Sequence, residues 1–303
     1  MARLLRARLD GPGKLRELLS RTSPILAPGA YDALTARLIE TTGFETVYVT
    51  GFGTAASKLG RSDIGLLTMS EMVESARQIV EAVDLPVIAD ADTGYGNAIS
   101  VIRTVREYER AGVAGIHIED QVWPKKCGHM EGKTLIPTEV MVEKIRAAAA
   151  AKKNQDFLII ARTDARAVEG LEAALKRGWL YRKAGANALF IEAPQSEEEI
   201  TTIAKEFEGI PLLYNWAEGG KTPPLPLSRI SELGFRIVIF PTSTLLAATK
   251  AIQEVLTEIR KAGTPMPIMN RLATFSNFLD FIGLPEIREL EQRFISKTEC
   301  MTG

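Results

Sequence analysis

Eight short apolar runs recur along the chain, and each is followed by a turn and an amphipathic helical pattern. Runs such as Leu158–Ala161 and Val238–Phe240 are apolar on both faces, which is typical of buried strands in a parallel sheet. Eight strand–helix units in about 250 residues favour an α/β fold of the closed (β/α)8 TIM-barrel type, with an open doubly wound sheet as the alternative. The predicted strands are Ile25–Ala27, Thr46–Thr50, Pro86–Asp90, Gly115–Glu119, Phe157–Ala161, Ala188–Glu192, Pro211–Tyr214 and Arg236–Phe240.

The last part of the chain departs from this alternation. A breaker segment, Gly263–Pro267, is followed by two helical stretches, Arg271–Ile282 and Pro285–Phe294. Their apolar faces must be buried, either on the same barrel or on a neighbouring subunit. We therefore predict a catalytic barrel over residues 1–260 and a C-terminal helical extension over residues 261–303, in the same domain, that packs in an oligomer.

Charge and cysteine content narrow the class of protein. Lys and Arg number 37 against 38 Asp and Glu, so the net charge of −1 predicts neither a nucleic-acid nor a membrane partner. Two cysteines, Cys127 and Cys300, cannot form a disulfide framework, which favours a reducing compartment. Neither a membrane-spanning run nor a secretion signal is expected, so we predict a cytoplasmic enzyme; an arginine-rich transit peptide is the minor alternative.

Carboxylates follow neighbouring predicted strands at the end where barrel enzymes hold their active sites. Asp90 ends the third strand and Asp92 follows two residues later, Glu119 ends the fourth and Glu192 ends the sixth. Such acids around one cavity would repel each other, and a hard divalent cation with oxygen ligands relieves that repulsion. We predict Mg²⁺, with Mn²⁺ as the alternative, bound directly by Asp90 and through water by Asp92 and Glu119. Helix N-capping is the alternative role of these acids.

A cationic loop after the fourth strand contains a cysteine. Cys127 follows Lys125 and Lys126 and precedes His129 by two residues. Positive neighbours favour a thiolate, so we expect a lowered pKa and a proton carrier near neutral pH. A small buried hydrophobe is the alternative for a lone cysteine, and zinc is not indicated. His117, inside a strand, is predicted to be a hydrogen-bonded core residue.

Arg162 ends the fifth predicted strand and suits a substrate carboxylate, which its guanidinium can bind with two parallel hydrogen bonds. An ion pair with Asp164 or Glu192 is the alternative that the spacing allows. Gly51 and Gly53 permit close approach of backbone to a ligand. No glycine-rich segment matches a nucleotide-binding fingerprint.

The segment Lys125–Met130 (KKCGHM), placed after Ile118–Gln121, resembles the signature of the isocitrate lyase and phosphoenolpyruvate mutase superfamily. Asp90–Gly96, Ala161–Asp164 and Glu192–Pro194 also have counterparts in that family. The length is similar to that of the short 2-methylisocitrate and 2,3-dimethylmalate lyases. The resemblance implies a Mg²⁺-dependent barrel in a homo-oligomer, a dimer or tetramer, whose C-terminal helix is swapped between subunits.

The resemblance also implies a reaction, cleavage of a carbon–carbon bond in a 2- or 3-hydroxy di- or tricarboxylate to pyruvate or glyoxylate and a second carboxylate. It assigns Cys127 as the proton donor to the carbanion-like product and Tyr48 to the proton of the substrate hydroxyl. The implied catalytic residues are Cys127, Tyr48, Glu192 and His129, the substrate-binding residues are Thr50, Gly51, Phe52, Gly128, Arg162, Asn215 and Ser243, and the metal-binding residues are Asp63, Asp90, Asp92 and Glu119.

Two departures from the family pattern bear on the substrate. In 2-methylisocitrate lyases an arginine tends to follow the signature histidine and the seventh loop reads Glu-Phe-Gly, whereas this chain has Met130 and Glu218–Gly220. Without that arginine a third carboxylate is left unpaired, at a cost on the order of a few kcal/mol, so a dicarboxylate is favoured. We further expect Trp123 and Trp216 to shape the pocket.

Other functions remain open. Phosphorus–carbon bond chemistry, of the carboxyphosphonoenolpyruvate or phosphoenolpyruvate mutase type, uses the same barrel, although many such members have Asn in place of the signature cysteine. Hydrolysis or decarboxylation of oxaloacetate is a second alternative. A catalytically silent carboxylate-binding barrel is disfavoured, because no catalytic position is missing from the sequence.

Overall fold

The protein's structure, a computed structural model, describes residues 3–5, 7 and 9–295. The chain forms two compact units, of which the first is Leu9–Leu246 and the second consists mainly of the residues after Leu246. Cys300 lies outside the described residues. Within the described part of the chain we find no helix with the length and hydropathy of a bilayer span.

All eight predicted strands are present in the first unit, with small shifts of their bounds. They are β1 (Ile25–Ala30), β2 (Val47–Val49), β3 (Val87–Asp90), β4 (Gly115–Glu119), β5 (Leu158–Thr163), β6 (Ala188–Ile191), β7 (Leu213–Asn215) and β8 (Ile237–Phe240). Parallel pairing runs in the order β6-β5-β4-β3-β2-β1-β8-β7. A parallel bridge between Leu189 and Leu212 joins the two ends of this order. The predicted (β/α)8 barrel is therefore confirmed.

Helices connect successive strands, and polar caps fix where they begin. Thr68 and Glu71 form a capping box at the fourth helix, and the Asn97 side chain caps the fifth. Gly112 ends the fifth helix at a φ of 82°, a left-handed conformation that favours glycine. The helices of this unit are α1 (Gly11–Ser20), α2 (Ala33–Thr41), α3 (Gly51–Leu59), α4 (Met69–Ala82), α5 (Ala98–Ala111), α6 (Thr138–Ala151), α7 (Ala165–Val168), α8 (Leu171–Lys183), α9 (Glu197–Glu206) and α10 (Leu227–Glu232).

Side chains along each strand alternate between two apolar clusters, as the period of two in a strand requires. In β3, Val87 and Ala89 belong to the cluster shared with the helices, whereas Ile88 belongs to a smaller cluster formed mostly by strand residues. Asp90, two residues after Ile88, is therefore directed into the barrel. The same alternation directs inward Tyr48, His117, Glu119, Arg162, Glu192 and Asn215.

The second unit is helical, and its described helices contain no buried residue. The predicted helix over Arg271–Ile282 begins later than expected, because the chain up to Arg271 is a 3-10 helix and Thr274 caps the next helix. The elements are the 3-10 helix Arg3–Leu5, α11 (Ser243–Ala262), which starts in the first unit, the 3-10 helix Met266–Arg271, α12 (Phe275–Phe281) and α13 (Leu284–Phe294).

Candidate active site

A cavity of about 260 Å³ lies at the carboxyl ends of the strands, where side chains from the barrel meet the connecting loops. Its wall includes most of the predicted site residues, namely Tyr48, Thr50, Phe52, Asp63, Asp90, Cys127, Gly128, His129, Arg162, Glu192 and Asn215. The wall also includes residues that were not predicted as site residues, namely Met130, Phe190, Ala217, Glu218, Gly219, Gly220, Ile239, Pro241 and Thr242. Gly51, Asp92, Glu119 and Ser243 contact wall residues without lining the cavity.

A buried lysine, not predicted as a site residue, forms ion pairs with two of the acids. Lys125 Nζ lies 2.6 Å from Asp63 Oδ2 and 2.9 Å from Asp92 Oδ1. Burial alone would lower the pKa of Lys125, but Asp92 and Asp63 raise it well above its ordinary value. Lys125 therefore stays charged. It holds the loop between β4 and α6 (residues 120–137, here the Cys127 loop) beside the acids.

Gly51 allows the carboxylate of Asp90 to lie against the first turn of α3. A Cβ on Gly51 would be 2.5 Å from Asp90 Oδ2, closer than real Cβ atoms come to a neighbour. The other oxygen of Asp90 accepts a hydrogen bond from Asp92 N at 2.9 Å. Burial raises the pKa of Asp90 and raises that of Asp92 to about 6. An additional cation at this point would favour the ionised form of both groups.

Glu119 is fully buried, and neither of its carboxylate oxygens has a hydrogen-bond partner. Its counter-charge is Arg162, whose Nη1 lies 3.3 Å from Glu119 Oε2. Burial raises the pKa of Glu119 well above its ordinary value. Since buried polar atoms in folded proteins nearly always have a partner, these oxygens require a water molecule or a cation beside them.

The charge balance of this region fits a divalent cation. Among the described residues, no group of three or more His, Cys, Asp or Glu side chains forms a ready-made metal site. Mg²⁺ keeps several waters and uses only one or two carboxylates, so the test of fit for this ion is the charge balance and the unpartnered Glu119 oxygens. The buried acids here are Asp63, Asp90, Asp92, Glu119, Asp164 and Glu192, and the buried cations are Lys125, Lys133 and Arg162.

Arg162 forms ion pairs with both Asp164 and Glu192, the two partners that the sequence spacing allowed. Its Nε and Nη2 donate to Asp164 at 2.9 and 3.2 Å, and Nη2 lies 3.3 Å from Glu192 Oε2. The guanidinium also lies over the Phe190 ring, 5.1 Å from its centroid. Asp164, Glu192 and Glu119 therefore surround a guanidinium that still reaches the cavity wall.

The expectation of a lowered pKa for Cys127 is wrong. Burial raises the pKa of this thiol, even though the backbone N–H of His129 and the charge of Arg162 act in the opposite direction. The flanking lysines are engaged elsewhere, since Lys125 pairs with the acids and Lys126 Nζ donates to Gly132 O at 2.8 Å. The thiol therefore carries its proton near neutral pH, as a proton donor must.

His129 joins the Cys127 loop to the loop after β7. Its Nδ1 accepts a hydrogen bond from Lys221 N at 3.0 Å, so the ring proton of the neutral form lies on Nε2. That nitrogen is 3.6 Å from Glu192 Oε1. A Cβ on Gly220 would be 2.8 Å from the ring, so the two loops are in close contact.

Tyr48 and His117 form a buried pair that spans β3, since Tyr48 belongs to β2 and His117 to β4 on either side of it. The hydroxyl of Tyr48 lies 2.8 Å from His117 Nε2, which confirms His117 as a hydrogen-bonded core histidine. Burial, with a contribution from Arg162, lowers the pKa of His117 to about 3, so the ring is neutral at pH 7. Burial and the charge of Asp90 raise the pKa of Tyr48 well above its ordinary value, so the phenol keeps its proton.

The two tryptophans expected to shape the pocket lie elsewhere. Trp123 lines a second cavity, of about 660 Å³, and Trp216 donates Nε1–H to Leu225 O at 3.1 Å. Ser243 Oγ donates a hydrogen bond to Glu218, which lines the cavity, whereas Ser243 itself does not line it.

Sequence comparison places the chain among enzymes. The phosphoenolpyruvate phosphomutase family model matches residues 15–260. A 2,3-dimethylmalate lyase of Eubacterium barkeri is 51% identical, over 94% of this chain and 99% of its own length. A 2-methylisocitrate lyase of Aeropyrum pernix is 47% identical, over 99% of this chain and 96% of its own. These relatives are lyases, in agreement with the predicted enzyme class.

Solved structures give the same result. A 2,3-dimethylmalate lyase matches with a TM-score of 0.89 at 39% identity, covering 95% of this chain and 96% of that one. A phosphonopyruvate hydrolase, solved with oxalate and Mg²⁺, matches with a TM-score of 0.86 at 33% identity, covering 94% and 99%. Both the barrel and the motif around Cys127 lie within the matched part of the chain. This chain therefore belongs to the phosphoenolpyruvate mutase and isocitrate lyase superfamily.

Proposed function

We propose that this enzyme is a Mg²⁺-dependent lyase that cleaves the C2–C3 bond of a 2,3-dimethylmalate-type dicarboxylate to pyruvate and propionate. One observation carries the proposal: the thiol of Cys127 and the guanidinium of Arg162 line the same cavity as Asp63 and Asp90. A protonated donor and a carboxylate-binding group are thereby combined with an acid cluster that fits Mg²⁺.

The charges on the cavity wall favour a dicarboxylate over a tricarboxylate. Among the described wall residues Arg162 is the one Arg or Lys, and it already pairs with Asp164 and Glu192. Met130, where the related lyases tend to have arginine, brings no charge. A third substrate carboxylate would be unpaired beside Glu218, at a cost on the order of a few kcal/mol.

The reaction removes one proton from the substrate and returns one to a product. The 2-hydroxyl loses its proton, the C2–C3 electron pair moves to C3, and Cys127 Sγ–H protonates C3 to complete propionate. We assign Glu192 as the base. Tyr48, a neutral phenol held by His117, orients the substrate hydroxyl. His129 contacts Glu192 and joins the Cys127 loop to the loop after β7, which holds the base in position.

The metal's share of this chemistry is electrostatic. When bound, Mg²⁺ supplies Lewis-acid polarisation of the substrate end that becomes the 2-oxo acid, with Mn²⁺ as the alternative ion. Arg162 and the groups at Thr50–Phe52, with Gly128, Asn215 and Ser243 around them, position the carboxylates. The residues that would hold the ion are Asp90 directly and Asp63, Asp92 and Glu119 through water.

Assays for pyruvate, oxalate, phosphoenolpyruvate and phosphate test the proposal across 2,3-dimethylmalate, 2-methylisocitrate, oxaloacetate and phosphonopyruvate. We expect the highest kcat/KM with 2,3-dimethylmalate, complete loss of turnover in EDTA, and recovery when Mg²⁺ is added back. Turnover of another member of this panel without cleavage of 2,3-dimethylmalate would overturn the proposal.

A 2-methylisocitrate lyase is the second candidate, and the 47% identity to the Aeropyrum pernix enzyme favours it. The same proton transfers would then release pyruvate and succinate. Phosphorus–carbon chemistry and oxaloacetate hydrolysis give distinct products, which are phosphoenolpyruvate or phosphate in the first case and oxalate in the second. The panel above therefore separates all four reactions.

We also propose that the enzyme is a cytoplasmic homo-oligomer, a dimer or tetramer whose C-terminal helices are exchanged between subunits. Large apolar side chains of the second unit support the oligomer, since Phe275, Met266 and Phe294 are 78%, 74% and 62% exposed in the single chain. Covering such side chains with a second copy is favourable at about 25 cal/mol per Å². The division into residues 1–260 and 261–303 stays a prediction.

A further inference from the structure

The Cys127 loop contains a second buried lysine, which the reaction described above does not use. The side chain of Lys133 is 1% exposed. Its Nζ donates to Asp164 Oδ1 at 2.7 Å and also to the carbonyl oxygen of Gly128, the residue after Cys127. One ammonium group therefore joins the middle of this loop to the end of β5.

Asp164 is the same carboxylate that orients Arg162. Its two oxygens accept hydrogen bonds from Arg162 Nε and Nη2 as well as from Lys133. Although burial acts to raise the pKa of Asp164, Arg162 and Lys133 lower it to about 2, so the group is fully charged. Charge-assisted hydrogen bonds of this kind are short and directional, so they fix the geometry of both cations.

The backbone that Lys133 holds lies directly against the reactive groups. A Cβ on Gly128 would be 2.5 Å from Arg162 Nη2 and 2.5 Å from Glu192 Oε2. A shift of the Gly128 peptide therefore changes the fit of the loop on Arg162 and the position of the adjacent thiol. The hydrogen bond at the Gly128 carbonyl controls that shift.

We infer that Lys133 is a positioning residue that latches the Cys127 loop closed over the cavity, by joining the Gly128 carbonyl to the carboxylate that orients Arg162. Without this ammonium, the Gly128 carbonyl and Asp164 each lose a buried partner, which favours an open loop whose carbonyl is hydrated. The effect on turnover rests on the proposed function, whereas loop closure is a property of the chain itself.

Alkylation of Cys127 measures loop closure without any substrate. In a Cys300→Ser background Cys127 is the sole thiol of the chain, and its rate of reaction with iodoacetamide at fixed pH reports how often the loop opens. We expect Lys133→Met to raise this rate at least about tenfold, the factor that corresponds to a loss of about 1.4 kcal/mol in loop closure. Lys133→Arg, which keeps the charge and donors, is expected to restore most of the protection.

Lys126→Met is the matched control. Lys126 belongs to the same loop and also donates to a backbone carbonyl, that of Gly132, but in a solvent-exposed bond. We expect this variant to leave the alkylation rate unchanged. If Lys133→Met does not fold, Lys133→Gln, which keeps a donor but not the charge, is used under the same expectation. An unchanged rate in the folded Lys133 variant, or an equal rise in Lys126→Met, would overturn the inference.

Kinetics on the productive substrate supply a second readout. A latch affects both the thiol and Arg162, so Lys133→Met should lower kcat and raise KM, and Lys133→Arg should recover both in part. A merely structural role would lower the yield of active enzyme while leaving KM and the alkylation rate unchanged. Faster alkylation in a protein that cleaves no substrate of the panel would contradict the proposed function and leave the latch supported.

Discussion

Gly128 and Arg162 lie so close together that a Cβ on the glycine would be 2.5 Å from the arginine Nη2. The backbone of the Cys127 loop therefore forms the wall beside the guanidinium. A side chain at position 128 must either lift the loop or displace both Arg162 and Glu192. Both changes move a group of the proposed reaction away from the substrate.

Gly128→Ala is accordingly expected to lower kcat/KM at least about a hundredfold, because a misplacement of about 1 Å in a catalytic group costs that much. Gly11→Ala is the control, since a Cβ there meets nothing closer than 3.5 Å. Steady-state kinetics on the two purified variants check the prediction. Near-normal activity of folded Gly128→Ala would show that the loop does not need to lie against Arg162.

The pH dependence of Cys127 alkylation follows from its environment. Burial raises the pKa of the thiol, so at neutral pH less of it is thiolate than in an ordinary cysteine. In a Cys300→Ser background, the alkylation rate plotted against pH should have its midpoint above that of the same protein in denaturant. A midpoint in the native protein below that in denaturant would contradict this prediction. It would mean that the thiolate is favoured, as the lysines beside Cys127 in the sequence suggested.

Metal binding is expected to stabilise the folded enzyme independently of catalysis. A ligand that binds only the native state at a hundred times its Kd adds about 2.7 kcal/mol of stability. Calorimetry should therefore show a higher Tm with Mg²⁺ than with EDTA, and Asp90→Asn should lose this difference. Glu172→Gln, at an exposed position on α8, is the control that keeps it. If Mg²⁺ raises the Tm of Asp90→Asn as much as that of the parent, the ion does not bind at Asp90.

The exposed apolar side chains of the second unit predict a concentration-dependent assembly. Light scattering during gel filtration should give the mass of a dimer or tetramer for the parent. Phe275→Asp, which places a charge at a position that is 78% exposed in the single chain, should shift the protein towards monomer, whereas Phe275→Leu should not. A monomeric parent would contradict the proposed oligomer.

The barrel and the acids at its strand ends could be predicted from the sequence because both depend on local patterns. A period of two places Ile88 and Asp90 on one face of β3, and the end of a parallel strand in a barrel is a known position for active-site groups. The same rule, applied to β4, puts His117 and Glu119 on one face. It could have placed His117 next to the site.

The lysines of the Cys127 loop could not be assigned in this way. The sequence shows Lys125 and Lys126 beside Cys127, but a side chain with four rotatable bonds reaches partners far from its own backbone. Lys125 turns to Asp63 and Asp92, and Lys133 reaches Asp164, a residue 31 positions further along the chain. Burial then reverses the direction expected for the pKa of the thiol.

Turnover of 2,3-dimethylmalate by Cys127→Ser, measured as pyruvate formation with saturating Mg²⁺, is the most direct test that this thiol delivers the proton to C3. Serine keeps the shape of the side chain but is a far weaker acid, so kcat should fall at least about a hundredfold, the typical contribution of a general acid, with KM nearly unchanged. Pyruvate formation at the parent rate would contradict the account.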